Sequence, residues 1–292
     1  MTRIPESELI LDKRGAIYHL GVRPEEMANT ILLVGDPERV PKVSRHFDRI
    51  EYKLQHREFI THTGYIGKKR LSVLSTGIGP DNIDIALNEL DALANIDFAT
   101  RTIKPQLQKL HIIRLGTSGA LQAHIPVDSF VAGTHGLGFD NVMHFYVKQN
   151  HAAELDLLQA FQQHTGLTHG NVLPYVFEGS SKLQSIFCNN YVQGITIGCP
   201  GFFGPQGRIL RLELAYPGLI DKLTTFKHKD HFISNFEMES SAIYGLCRLM
   251  GHECISLNVI VANRVIQKFS NDSTAAVEAL IAHSIALLAD RL

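Results

Sequence analysis

The sequence contains no tryptophan, only four cysteines and almost no net charge, since 28 Lys and Arg stand against 29 Asp and Glu. Proteins that bind nucleic acid usually carry a basic excess, so this balance argues against a nucleic-acid partner while leaving room for a local basic cluster. The cysteines lack the paired spacing of zinc or redox motifs, which predicts buried free thiols. They are Cys188, Cys199, Cys247 and Cys254.

Long hydrophobic runs are also lacking. We expect no membrane span, because no apolar run approaches the roughly 20 residues of a membrane-spanning helix. Residues 1–12 are polar and have no apolar centre of the kind that signal peptides carry. We therefore expect a cytoplasmic protein that makes no contact with a membrane.

Several catalytic signatures are absent. The sequence has no GxxxxGK[ST] phosphate loop, no GxGxxG after a strand, no HExxH and no GxSxG. Their absence argues against P-loop nucleotide hydrolases, dinucleotide-binding domains, zincin metalloproteases and α/β-hydrolases. The 15 histidines are scattered and form no ligand pair at helical spacing, so we predict no metal site.

What the chain does have is an alternation of short apolar runs with amphipathic segments. This alternation predicts an α/β fold, and apolar runs without polar alternation are typical of a sheet covered on both faces. No linker or shift in composition divides the chain, so we expect one domain with a polar surface insertion at 97–110. The predicted strands are 30–35, 71–76, 111–115, 127–134, 171–177, 191–199 and 254–262, and the predicted helices are 38–47, 83–94, 152–164, 240–250 and 273–289.

Glycine-rich turns with a neighbouring arginine accompany two predicted strands. Gly35 and Arg39 follow the first strand, and Arg114 precedes the glycines at 116 and 119. At the carboxyl ends of strands such glycines let backbone N–H groups approach an anion, and arginine binds phosphate oxygens. Ordinary loop chemistry is the alternative for each turn, and a structural ion pair is the alternative for Arg114. Arg57 would add a third cation if the fold brings it close.

Two further clusters could carry chemistry. Glu237 and Glu239 would share one face of a strand and could form a glycosidase acid/base pair, or they could mark the start of a helix, where acids are favoured. Gln206 and Arg208 lie on a predicted loop beside Phe202. That trio could hydrogen-bond the edge of a planar ring and stack on its face.

Seven short motifs stand along the chain in a fixed order: GDPERV at 35–40, HREF at 56–59, STGIG at 75–79, RLGTSGA at 114–120, FFGPQGR at 202–208, FEMES at 236–240 and VIVANR at 259–264. In this order and spacing they resemble the nucleoside phosphorylase superfamily, and within it the uridine phosphorylases. The resemblance covers nearly the whole chain, from residue 18 to the last predicted helix.

The resemblance implies a three-layer α/β/α single domain with a central mixed, partly barrel-like sheet. That domain would span 18–292 and follow an N-terminal extension at 1–17. The implied activity is reversible phosphorolysis of uridine to uracil and ribose 1-phosphate in pyrimidine salvage, with deoxyuridine as a second substrate. Phosphate would be a co-substrate, no cofactor is implied, and the smallest active unit would be a homodimer, which family members often assemble into hexamers.

The resemblance also assigns site residues. The phosphate site would comprise Gly35, Arg39, Arg57, Arg114 and Thr117. The nucleoside site would comprise His19 (contributed to the neighbouring subunit), Thr117, Ser118, Gly119, Phe202, Gln206, Arg208, Glu237, Met238 and Glu239. Catalysis would rest on Arg114, Gln206, Arg208 and Glu239. On this basis we expect Arg114→Ala to abolish phosphorolysis while the fold stays intact.

Two departures from the family pattern bear on these expectations. Some bacterial members bind potassium between subunits with a serine and the Glu of HREF; here Glu58 is kept but Asn82 replaces the serine, which argues against a monovalent cation site. Purine-specific relatives carry an aspartate where this chain has Ala262 and Asn263, which favours pyrimidine over purine. The alternatives are a nucleosidase or a purine nucleoside phosphorylase of the same superfamily, or a non-catalytic nucleoside-binding module.

Overall fold

The computed structural model describes residues 2–291, so Met1 and Leu292, the outer ends of the predicted extension and domain, lie outside the described residues. The described chain contains seven α-helices: α1 Arg39–Ser44, α2 Pro80–Asn95, α3 Ala152–Thr165, α4 Ser181–Phe187, α5 Leu219–Thr225, α6 Ser240–Met250 and α7 Ser273–Arg291. Four short 3₁₀ helices lie at Pro24–Glu26, Val142–Phe145, Cys188–Asn190 and Gly204–Gln206.

Fourteen strands lie within residues 2–291. They are β1 Thr30–Val34, β2 Arg49–His56, β3 Phe59–Ile66, β4 Lys69–Ser75, β5 Ile96–Asp97, β6 Thr102–Ile103, β7 His111–Ala120, β8 Phe130–Gly138, β9 Tyr175–Glu178, β10 Val192–Gly198, β11 Lys227–His228, β12 His231–Glu237, β13 Glu253–Asn263 and β14 Lys268–Phe269. The main sheet has the order β11-β12-β10-β8-β13-β7-β1-β4-β3-β2, with β9 beside β8 and β14 beside β13. β5 and β6 form a separate two-stranded ribbon.

The sheet closes on itself over part of its width, because β12 pairs with β7 as well as with β10. The strands β7, β12, β10, β8 and β13 thereby form a ring of five. β1 and β13 run parallel to β7, and β4 is parallel to β1, whereas β8 and β12 run parallel to β10. The two groups meet in antiparallel pairs at β7–β12 and β8–β13. The predicted mixed, partly barrel-like sheet is confirmed.

Alternate residues of β1 face two different apolar cores. Ile31 and Leu33 pack with α2 and α6 on one face of the sheet. Leu32 and Val34 pack with α1, α4 and α7 on the other face. This double burial explains why the strand reads as a continuous apolar run. α3 and α5 cover a third core with β10 and β12, and the predicted three-layer α/β/α architecture is confirmed.

The C-terminal helix α7 is more apolar than expected. Its window Ser273–Asp290 has a mean hydropathy of 1.3, enough in length and composition to cross a membrane, and 39% of that window is buried inside the protein. Val277, Leu280 and Ile281 of this helix pack in the core that it shares with α1 and α4. One such helix is weak support for a membrane span, because helices that cover a sheet have the same composition.

The prediction that strand 111–115 ends in a glycine-rich turn is wrong. β7 continues through Gly116 and Gly119 to Ala120, and it pairs with β13 along this length. The glycines are needed because other side chains cross the strand here. A Cβ on Gly116 would lie 2.5 Å from Asn258 Oδ1 and 3.2 Å from Arg114 Cζ, and one on Gly119 would lie 3.4 Å from the Phe236 ring.

Seven of the fourteen strands were missed from the sequence, namely the two-residue strands β5, β6, β11 and β14 and the longer β2, β3 and β12, and the starts of β8 and β9 were misplaced. β2 and β3 carry polar side chains at many positions, and β12 contains Ser234 and Asn235, so none of the three reads as an apolar run. The strand predicted at 127–134 begins at Phe130, because Asp128 adopts a left-handed φ of 67° in the preceding turn. All four cysteines are free and buried, as predicted.

The N-terminal segment is fastened to the insertion at 97–110. Arg101 has a left-handed φ of 57°, and its guanidinium donates to the carbonyls of Ile4 at 3.0 Å, Pro5 at 3.1 Å and Leu9. The amide of Ile4 donates back to the Arg101 carbonyl at 2.8 Å. The insertion, predicted as a plain surface connection, therefore anchors residues 4–9.

Candidate active site

A cavity of about 650 Å³ lies where β1, β4, β12 and β13 end and where the second half of β7 passes; we call it the central cavity. Strand ends of an open sheet are where α/β proteins place their ligands. Twelve of the residues predicted for the site line it: Gly35, Arg39, Arg114, Thr117, Ser118, Gly119, Phe202, Gln206, Arg208, Glu237, Met238 and Glu239.

Arg114 is the buried charge at the centre of the site. Its Nε donates to Glu237 Oε2 at 3.1 Å, and its Nη2 pairs with Glu239. Its third nitrogen, Nη1, is buried and has no hydrogen-bond partner among residues 2–291. Nη1 lies toward Gly35, since a Cβ built there would be 4.0 Å away. Arg114 therefore forms the structural ion pair that was the alternative interpretation, and its Nη1 is left to donate to an anion.

Arg39 supplies a second cation to the same end of the cavity. Its Nη1 donates to the carbonyl of Leu115, in β7, at 3.1 Å. Burial lowers the pKa of Arg39, and the positive charge of Arg114 lowers it further. Two arginines that repel one another in a buried position create a place where a bound anion would be favoured.

The two carboxylates occupy the junction of β12 and α6. Glu237 is the last residue of β12, and its side chain accepts from the backbone N–H groups of Glu239 and Ser240 at 2.9 Å each. Glu239 precedes α6 and accepts the Gly79 N–H at 2.9 Å. Burial raises the pKa of Glu237, Arg114 opposes that rise, and Glu239 adds to it. Because both carboxylates contact one guanidinium, they form an ion-pair cluster, which argues against a glycosidase acid/base pair.

The other end of the cavity presents an amide and a stacked guanidinium. Gln206 is buried, and its Oε1 accepts from Arg208 Nη1 at 2.5 Å. The Arg208 guanidinium carbon lies 3.7 Å from the centre of the Phe202 ring. Burial, with repulsion from Arg264, lowers the pKa of Arg208 to about 10, so it stays positive at neutral pH. This end can hydrogen-bond a planar polar ring and stack on it.

Several residues that contribute here were not assigned a role from the sequence. Phe236 lines the cavity between Glu237 and the glycine at 119. Arg264 donates to the carbonyl of Gln206 at 3.1 Å and so holds the loop that carries the amide. Ile78 and Phe269 line the cavity while remaining largely exposed. Phe236, Arg264 and Ile78 lie inside the motifs, which was the available signal, whereas Phe269 lies outside them.

Two predicted residues do not reach the central cavity in this chain. His19 is held by Glu89 of α2, with 2.7 Å between Nδ1 and Oε1. Arg57 has a left-handed φ of 54° and donates to the Tyr18 hydroxyl at 3.3 Å. His19 and Arg57 thus both contact Tyr18 in a partly exposed cluster, and neither is among the residues that line the cavity.

A family model described as the Phosphorylase superfamily matches residues 29–289. The chain belongs to the phosphorylase superfamily. The match begins at the residue before β1 and runs through the last helix, so it includes every residue assigned to the central cavity.

Individual relatives of this phosphorylase-superfamily chain carry a more specific name. A uridine phosphorylase of Thermococcus kodakarensis is 28% identical over 284 residues, which are 95% of this chain and 88% of that protein. One of Haemophilus influenzae is 25% identical over 267 residues, covering 88% of this chain and 90% of that protein. A solved nucleoside phosphorylase of Trypanosoma brucei, described as showing uridine phosphorylase activity, superposes with a TM-score of 0.89 at 28% identity, covering 97% of this chain and 99% of that one.

Proposed function

We propose that this chain catalyses the reversible phosphorolysis of uridine to uracil and ribose 1-phosphate, in cytoplasmic pyrimidine salvage, with deoxyuridine as a second substrate. The observation that carries the proposal is that the two ends of the central cavity present different polar groups. Arg114 offers an unpartnered buried donor beside Arg39 at one end, and Gln206 with Arg208 offers an amide and a guanidinium at the other. The names of the relatives support the same reaction.

Phosphate would bind at the arginine end. Arg114 Nη1 and Arg39 would neutralise its charge, while Gly35 and Thr117 line the same part of the cavity. Held there, an oxygen of phosphate would attack C1′ of the ribose from the face opposite the base. Positioning of two bound reactants supplies much of the rate in such a reaction, so no covalent nucleophile is required.

Uracil would leave at the amide end. As the bond from C1′ to the base breaks, negative charge builds on the uracil ring. Gln206 and Arg208 would donate hydrogen bonds to that charge, which lowers the transition-state energy. Phe202, stacked on Arg208, would pack against the ring face.

The ribose would lie between these two ends, beside Glu237, Met238 and Glu239. The Glu239 carboxylate is fixed by Arg114 and by the Gly79 N–H. A carboxylate held in this way can accept hydrogen bonds from sugar hydroxyls without moving. As bond cleavage proceeds, positive charge grows on the sugar, and both the phosphate and the carboxylates would stabilise it.

We propose a homodimer as the smallest active unit, and we propose that such dimers assemble into hexamers. His19 and Arg57 lie together outside the central cavity of their own chain, which is where residues that serve a second copy would be found. The extension 1–17 would then help to present this cluster.

The reaction would need no cofactor and no metal. Glu58 and Asn82 line the cavity, and we propose that they hold no monovalent cation.

The competing enzymes differ in what they need besides the nucleoside. A nucleosidase uses water in place of phosphate. Water has no charge to be neutralised by Arg39 and by the unpartnered nitrogen of Arg114. A purine phosphorylase needs an acid to protonate its leaving group, and Ala262 with Asn263 at the end of β13 supplies none. A non-catalytic binding module would bind uridine without releasing uracil.

A phosphate-dependent assay on a panel of nucleosides separates these possibilities. We expect uracil release from uridine in phosphate buffer and none when phosphate is removed. Turnover without phosphate would favour the nucleosidase, and binding without turnover would favour the non-catalytic module. Faster turnover of inosine than of uridine would overturn the assignment to pyrimidines.

Gln206→Ala tests the base end directly. We expect it to lower kcat/KM for uridine by roughly 100-fold, because it removes a donor to the charge that develops on uracil. Gln193→Ala, at an exposed position of β10, is the matched control and should behave as the unaltered protein. Equal activity of the two variants would contradict the assignment of Gln206.

A further inference from the structure

Behind Ser118 lies a buried hydrogen-bond network that does not itself line the cavity. Ser118 does line it and is 5% exposed. Its Oγ accepts a hydrogen bond from Asn235 Nδ2 at 2.9 Å. Asn235 lies on β12 and is fully buried. Thr196 and Ser234, also fully buried, contact the same amide, and we call Asn235, Thr196 and Ser234 the rear network.

The orientation of the Asn235 amide is fixed by its neighbours. Thr196 Oγ1 lies 3.0 Å from Asn235 Oδ1, and Ser234 Oγ lies 2.7 Å from the same atom. Ser234 can turn to the carbonyl of Ile195 instead, but within residues 2–291 Thr196 has Asn235 Oδ1 as its acceptor. A flipped amide would leave the buried Thr196 hydroxyl without an acceptor, which is costly. The Nδ2 group therefore faces Ser118.

This orientation decides what Ser118 can offer to a ligand. A serine hydroxyl has one hydrogen to donate and two lone pairs to accept with. One lone pair of Ser118 Oγ is occupied by Asn235, and its hydrogen has no acceptor among the residues that the structure describes. The hydroxyl hydrogen is thus left for the central cavity.

We propose that Asn235 is a positioning residue that makes Ser118 a hydrogen-bond donor to an acceptor oxygen of the bound nucleoside. The inference rests on the proposed function, because the occupant is taken to be a nucleoside. Two oxygens fit this chemistry, a carbonyl of the pyrimidine or an oxygen of the sugar. Ligands that present an N–H at this point would be rejected, since two donors would then face one another.

A double-mutant cycle tests whether Asn235 acts through Ser118. Ser118→Ala, Asn235→Ala and the double variant are compared by kcat/KM for uridine. We expect about 10-fold loss for each single variant and about the same loss, not about 100-fold, for the double variant, because both changes remove one interaction. An equal effect of Asn235→Ala in both backgrounds, or no effect at all, would overturn the inference.

The reverse reaction distinguishes the two acceptor oxygens. If Ser118 donates to the base, Asn235→Ala raises KM for uracil; if it donates to the sugar, KM for ribose 1-phosphate rises instead. A change in neither KM, with only kcat or stability reduced, would show a purely structural role and overturn the inference. Should Asn235→Ala fail to fold, Asn235→Ser replaces it, since its hydroxyl can still serve Thr196.

Two controls complete the experiment. Ser72→Ala removes a buried hydroxyl that is bonded to Thr63 at 2.7 Å and does not line the cavity; it should lower stability and leave both KM values unchanged. An unaltered protein that does not turn over uridine would overturn the proposed function, and this inference with it. An active protein with additive effects in the cycle would overturn this inference alone.

Discussion

Arg114 combines a folding role and a ligand-binding role in one side chain. Two of its nitrogens neutralise Glu237 and Glu239, and the third is left open beside Gly35. The sequence led us to expect that Arg114→Ala would spare the fold. The structure changes this expectation, because the substitution would leave two buried carboxylates without their counter-charge.

We therefore predict that Arg114→Ala lowers both stability and turnover. The free energy of unfolding should fall by about 3–5 kcal/mol, as when one partner of a buried ion pair is removed, and phosphorolysis should be nearly abolished. Arg114→Lys keeps the charge but not the forked donors, so it should recover part of the stability while kcat/KM for phosphate stays roughly 100-fold low. Urea unfolding and phosphate-dependent initial rates measure the two effects.

Arg45→Ala serves as the control for that pair of variants. Arg45 pairs with Glu278 at 3.4 Å on the surface, and removal of an exposed pair should change stability by less than about 1 kcal/mol. Wild-type turnover of Arg114→Ala at saturating phosphate would be incompatible with a phosphate site at Arg114.

At the scale of elements, the decisive feature is that β7 continues as a strand past its glycines. Because Gly116 and Gly119 have no side chain, the Arg114 guanidinium and Asn258 can lie across the first and the Phe236 ring against the second. The closed ring of five strands depends on the same stretch, where β7 pairs with β12 and β13 at once. The glycine-bearing strand β7 thus both closes the barrel and lines the central cavity.

Gly116→Ala should therefore damage the site and the fold together. The added Cβ would lie 2.5 Å from Asn258 Oδ1, so neighbouring groups must move. We expect a loss of about 1–3 kcal/mol in stability, as for overpacking, and at least about 10-fold in kcat/KM for uridine, because a displaced Arg114 is misplaced for phosphate.

Gly204→Ala is the matched control for stability, since an added Cβ there would have only Leu214 Cδ2 at 4.0 Å. If Gly116→Ala keeps the parent's kinetics, the close approach of Arg114 and Asn258 to β7 does not constrain the site.

At the scale of the whole molecule, folding buries ionisable groups outside the active site as well. His135 of β8 is 7% exposed, and its ring meets that of His231 edge-on, with 4.8 Å between centroids. Burial lowers the pKa of His135 from 6.5 to about 4, helped by the charges of His231, His151 and Arg248. The folded protein therefore keeps this imidazole neutral at a pH where the unfolded chain would protonate it.

This difference predicts an acid-sensitive stability. Above pH 6.5 the shift has no effect; as the pH falls from 6.5 toward 4, the unfolded state takes up the proton first, and stability should fall by up to about 3 kcal/mol from this group. His135→Gln should flatten that part of the pH profile in urea unfolding, whereas His169→Gln, at an exposed position, should not. Parallel profiles for His135→Gln and the parent would refute the prediction.

Much of the fold could be predicted from local patterns. The bounds of β1, α6 and β13 were predicted to within one residue and those of α2 to within three, because each is a compact apolar or amphipathic run. β2 was missed because it alternates exposed polar residues with half-buried ones. β3 and β12 were missed because their buried polar side chains, such as Thr63 and Asn235, bond to partners distant in the chain. Twelve of the fourteen predicted site residues line one cavity, and His19 and Arg57 do not, because a local motif does not state where its side chains lie in the folded chain.

Composition, periodicity and motif order are enough to predict the class of fold, the absence of a basic excess and the set of side chains available for an anion and a planar ring. Three features are visible in the folded chain alone: Arg114 leaves one nitrogen open, β7 continues as a strand and Asn235 fixes the hydroxyl of Ser118. The physical reason is that each of these depends on groups from other strands. A hydrogen bond or an ion pair between residues more than a hundred positions apart leaves no local trace in the sequence.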